Sequence, residues 1–86
     1  MTVVEKYRAA SKAYAAQWKI TDDHVINVGS SILMTRDNVL QGGGFVQAVV
    51  NNDLREAIGR ADDVCINHLR FFVGIKNNVP RLNEKP

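Results

Sequence analysis

The sequence predicts an all-α fold, a small bundle of four to five short helices that assembles as a homo-oligomer. Apolar residues recur at three- and four-residue steps along most of the chain. Helix-start chemistry precedes the periodic stretches, so helices are expected to begin near Thr2, Asp22, Gly44, Asp53 and Asp62. The β-branched run Val46–Val50 has no hairpin partner, which argues against a sheet. One domain is expected over residues 1–79, with residues 80–86 as a mobile tail once Pro80 stops the last helix.

Each element has its own warrant. Thr2-Val-Val-Glu5 has the spacing of a capping box, and Val3, Tyr7, Ala10, Tyr14 and Trp18 follow on one helical face. Thr21 is read as the cap of the second helix, with Asp22 and Asp23 at the positive end of its dipole. Val25, Val28, Ile32 and Val39 mark one face of that helix and carry its pattern as far as Leu40. Gly29-Ser30-Ser31 breaks it with small residues, suited to a close helix crossing or a bend. Phe45, Val46, Val49 and Val50 suit a short third helix, and Asp53 with Glu56 makes a box-like start to a fourth. Asp62-Asp63 opens the last helix, with Cys65, Ile66, Leu69, Phe72 and Val73 on one face and Val64, Phe71 and Ile75 on a second. Two apolar strips on one helix imply burial from both sides, so Val64, Phe71 and Ile75 are expected to form a subunit interface.

Composition narrows the function classes. Eleven basic against nine acidic residues leave a net charge of +2, and the basic residues are scattered, so nucleic acid is an unfavoured partner. Cys65 is alone and forms no intrachain disulfide, which suits a reducing compartment. No leader pattern and no long apolar run is present, so a cytoplasmic protein with no membrane partner is expected. His24 and His68 give little basis for a metal site, no cofactor motif stands out, and no nucleophile has a base beside it. The expectation is a binding protein, not an enzyme, with no metal or cofactor.

Gly42-Gly43-Gly44 punctuates the middle of the chain. One reading is a helix stop, because glycine takes φ > 0 without steric cost. The other is an anion site, with the amides of Gly43, Gly44 and Phe45 at the mouth of the next helix. The run matches neither a Walker loop nor a dinucleotide-binding turn.

The stretch Arg36-Asp37, Leu40, Gly42-Gly43, Phe45-Val46-Gln47-Ala48-Val49, Asn52, Leu54, Ala57 and Arg60-Ala61-Asp62 resembles a group of short proteins of tailed bacteriophages. The resemblance covers residues 33–75, leaves the first helix outside, and implies a helical fold and a phage origin. It supplies no activity. A counter-defence role in the host cytoplasm is expected from that origin: sequestration of a nucleotide-type immune signal between subunits. Arg36 and Arg60 would clamp phosphate beside Gly43 and Gly44, with Phe45 or Tyr14 stacking on a base. Alternatives are a protein-binding inhibitor of a host defence enzyme or CRISPR effector, and a nucleic-acid-binding accessory protein using the basic stripe of the first helix.

Overall fold

The computed structural model describes residues 2–82. All regular structure among them is helical: α1 (Val3–Gln17), α2 (Asp23–Arg36), α3 (Gly44–Val50), α4 (Leu54–Arg60), α5 (Asp63–Asn67) and α6 (Leu69–Asn78). The expected all-α architecture is therefore present, with six helices where four to five were expected. The extra one arises because the last predicted helix breaks at His68, whose φ of −120° leaves the helical region. Apolar periodicity runs across that break and hides it.

The long helices α1 and α2 pack together, and α6 lies against both; α3 packs on α2 and carries α4. Thr2 and Glu5 form the expected capping box. At the second helix the cap is Asp22, not Thr21: its carboxylate accepts from the amides of His24 and Val25 at 2.8 and 3.3 Å. Gly29 serves a close crossing. A Cβ there would stand 2.5 Å from Ser11 Oγ, and that hydroxyl donates across the contact to the Ile26 carbonyl at 2.8 Å.

α2 stops at Arg36, short of the expected Leu40. The turn is made by Asn38 at φ 60°, a left-handed conformation Asn tolerates, so no glycine is needed for it. The core lies between these elements, with Tyr7, Val25, Ile32, Leu33, Phe71 and Phe72 almost wholly buried. Phe71 and Ile75, expected at a subunit interface, are 1% and 0% exposed within the single chain. They are core residues: α1 and α2 already cover the strip assigned to a partner. Val64 is half-buried against the same core.

One buried polar joint ties the helices together. Asp37, 1% exposed, accepts from Arg36 Nε at 2.8 Å through one oxygen. Its other oxygen accepts from Tyr7 OH at 2.8 Å and from the Leu82 amide at 3.1 Å. Arg36 also donates to the carbonyls of Lys76, Val79 and Pro80, capping the C-terminal end of α6. Residues 80–82 of the expected tail are thus in contact with the body of the fold, and Lys6 donates to the Leu82 carbonyl at 2.6 Å. Residues 83–86 of that tail lie outside the described residues.

Burial acts to raise the Asp37 pKa, but the hydrogen bonds from Arg36, Leu82 and Tyr7 outweigh it and hold the carboxyl below its ordinary value. Burial and the Asp37 carboxylate push the Tyr7 phenol up to about 12. A depressed carboxyl contributes stability above its unfolded pKa, near 4, that is lost as pH falls through the folded value. Arg36→Ala removes the cation paired with the buried Asp37 carboxylate and should cost about 3–5 kcal/mol, lowering Tm by more than about 10 °C. Thermal melts should show this loss, and Asp37→Asn should flatten the acid limb of the Tm–pH curve.

Candidate functional site

The glycine run leads from Asn38 into α3, and its three members differ. Gly42 is held: its amide donates to Thr35 Oγ1 at 2.8 Å and its carbonyl accepts from Gln47 Nε2 at 2.7 Å. A Cβ on Gly42 would meet Ser31 Oγ at 2.6 Å and Val46 Cγ1 at 2.7 Å. Gly43 is the N-cap of α3, without a side-chain cap, and faces open space. Gly44 lies under Arg60, whose Cδ would be 2.7 Å from an added Cβ. None of the glycines has positive φ, so the left-handed conformation expected of a glycine helix stop is not adopted in the run. Their value is lack of bulk.

The expected ligand residues fall into two groups. Gly44 and Arg60 meet at the start of α3, while Gly43 precedes them as the N-cap and faces open space. Arg60 is exposed and paired with Glu56 one turn away on α4, an arrangement it can leave at little cost. Arg36 and Phe45 are committed elsewhere. The Arg36 guanidinium is largely buried and spends its donors on Asp37 and three carbonyls, which leaves it a structural cation and not a phosphate clamp. Phe45 packs edge-on against Phe72, ring centroids 5.6 Å apart, inside the core. Tyr14 is likewise engaged, 5.7 Å from the Phe71 ring, with its hydroxyl accepting from Asn78.

Two clefts open beside this start. A cleft of about 420 Å³ is bounded by Thr35, Arg36, the segment 38–41, and Gln47, Val50 and Asn51. Four carboxamides, from Asn38, Gln41, Gln47 and Asn51, line it together with Val39, Leu40 and Val50, and no carboxylate does. A second, of about 460 Å³, shares Gln47 and Asn51 and adds Gly44, Asp53, Glu56 and Arg60. Carboxamides offer paired donors and acceptors in one plane, the pattern that reads a nucleobase edge, and the aliphatic wall suits a ring face. The volume lies in the range of small-molecule sites. Sequence reading missed the carboxamides, because Asn38 and Gln41 reach Gln47 and Asn51 only through the turn of the chain.

An apolar groove adjoins the second cleft, sharing Ala48 and Asp53 with it, and is lined by Val49, Leu54, Leu69 and Val73. It continues to Trp18. Leu54, Trp18 and Val73 are 56%, 42% and 39% exposed. Phe71 and Ile75 present no apolar surface to solvent, whereas Val73, on another face of α6, and Leu54 of α4 do. No helix among the described residues is long and apolar enough to cross a membrane. Comparison with known protein families, curated proteins and solved structures finds no match to the chain.

The glycines separate cleanly by substitution. Gly42→Ala should destabilise by about 1–3 kcal/mol through overpacking against Val46 and Ser31. Gly43→Ala should leave stability within about 0.5 kcal/mol of wild type. Urea unfolding of the two variants checks both.

Proposed function

We propose that this chain is a non-catalytic binding protein that sequesters a nucleotide-type ligand. The proposed setting is counter-defence in the host cell, and it rests on the sequence resemblance to short tailed-phage proteins alone. The observation that carries this reading is the cleft of four carboxamides without a carboxylate, joined through Gln47 and Asn51 to the Gly44–Arg60 cleft. The base would lie against Val39 and Val50 with its edge read by Asn51 and Gln47. The phosphate would lie toward Gly44 and displace Glu56 from Arg60. Asp53 and Glu56 oppose an anion there, so release of Arg60 from its pair is part of binding. The apolar groove borders this cleft, so self-association through Leu54, Leu69, Val73 and Trp18 would bring the ligand to a subunit boundary.

Titration calorimetry against a panel of cyclic and linear nucleotides tests the reading. Arg60→Ala should weaken binding about 10- to 100-fold, as loss of a charged hydrogen bond does. Asn51→Leu should weaken it about 10-fold or more. Arg8→Ala and Lys12→Ala on α1 should change little. Absence of binding by any nucleotide would refute it.

The exposed apolar groove favours a second reading, a protein-binding inhibitor of a host defence enzyme. Light scattering separates self-association from this. Val73→Glu should reduce an oligomer to a smaller, folded species, since a carboxylate buried without a partner costs several kcal/mol. Phe71→Glu should unfold the chain instead. A wild type that stays monomeric at high concentration would leave the groove to a different protein.

A further inference from the structure

Away from both clefts and the groove, three metal-ligating side chains of different chemistry converge. His24, in the first turn of α2, meets Asp62 and Cys65 at the start of α5. One imidazole nitrogen, one carboxylate oxygen and the thiol sulfur all lie within 4.8 Å of one another. The two oxygens of Asp62 divide their work. Oδ1 accepts from the Cys65 amide at 2.8 Å and caps α5, while Oδ2 faces His24 Nε2 at 3.4 Å. The capping bond fixes the carboxylate plane and so aims Oδ2. Cys65 is buried, whereas His24 and Asp62 are exposed, so the cluster has a sulfur floor and an open rim.

We propose that His24 Nε2, Asp62 Oδ2 and Cys65 Sγ form a binding site for a borderline-soft divalent cation of the zinc type. Imidazole, carboxylate and thiolate are the three protein ligand types zinc takes, and three protein ligands leave a fourth tetrahedral position for water or an incoming group. Hard cations such as Mg²⁺ and Ca²⁺ take oxygen shells and gain nothing from the sulfur. Binding replaces the thiol proton, which passes to solvent, by the metal. Burial and the Asp62 carboxylate push the Cys65 thiol up to about 11, and a cation between the two groups reverses the carboxylate's effect. His24 stands in the first turn of α2 and Asp62 caps α5, so both ligands sit on helix starts held by side-chain caps. The ion would join α5, a five-residue helix without an extensive packing partner, to the first turn of α2.

The test uses the reduced, chelator-treated full chain titrated with Zn²⁺ by calorimetry and with Co²⁺ by absorption spectroscopy. One ion per chain should bind, Zn²⁺ should raise Tm, and the Co²⁺ form should show thiolate-to-cobalt charge transfer with tetrahedral d–d bands. Cys65→Ser should abolish the charge-transfer band. His24→Gln and Asp62→Asn should each weaken Zn²⁺ by at least about 10- to 100-fold, a loss that even outer-shell substitutions cause. Asp62→Asn keeps an N-capping side chain, and His24 is exposed, so circular dichroism of both should match wild type. Zn²⁺ affinity no better than millimolar would overturn the site. So would binding that survives His24→Gln and Cys65→Ser, or a Co²⁺ complex without the sulfur band.

Discussion

A buried carboxylate, Asp37, is the constraint on which the rest of the chain depends. It draws Tyr7 of α1, Arg36 of α2 and the Leu82 amide to one point. Arg36 passes the connection on to the last carbonyls of α6. A charged pair of this depth stabilises only when its remaining hydrogen-bonding capacity is met, and here several partners meet it. No buried side-chain polar atom among the described residues lacks a partner. The joint also sets the exit of the chain from α2. Asn38 turns immediately after it, and the segment that follows forms a wall of the carboxamide cleft. A small domain with a thin core thus gains a fixed corner for its most ligand-like surface.

Most helix starts were legible because capping is local. Thr2 with Glu5, Asp53 and Asp62 cap as their sequence context indicates. Helix ends were less legible. Val39 and Leu40 continue the apolar period of α2, so periodicity alone could not show that Asn38 had already left the helix. The same limit concealed the break at His68. Gly29 was readable as a crossing point but not as to its partner, which is Ser11 on α1.

The candidate residues were legible as residue types but not as neighbours. Gly44 and Arg60 do meet, although their separation in sequence gave no geometric sign of it. Arg36 was misjudged for a definite reason: a basic residue near a glycine run looks the same whether it faces a ligand or caps a distant helix. The adjacent Asp37 was the available sign of a pair. Phe71 and Ile75 show the complementary failure, since two apolar strips on a helix do not reveal which one the chain itself covers. His24, Asp62 and Cys65 come from two helix starts, and only tertiary packing brings them together.

In the proposed function the carboxamide cleft reads a base while Gly44 and Arg60 take its phosphate. Side-chain amide resonances test it most directly. In ¹H–¹⁵N spectra recorded during nucleotide titration, the NH₂ groups of Gln47 and Asn51 and the backbone amide of Gly44 should shift together and saturate at one ligand concentration. Shifts confined to the neighbourhood of Arg8 and Lys12, or a spectrum unchanged at millimolar nucleotide, would contradict it.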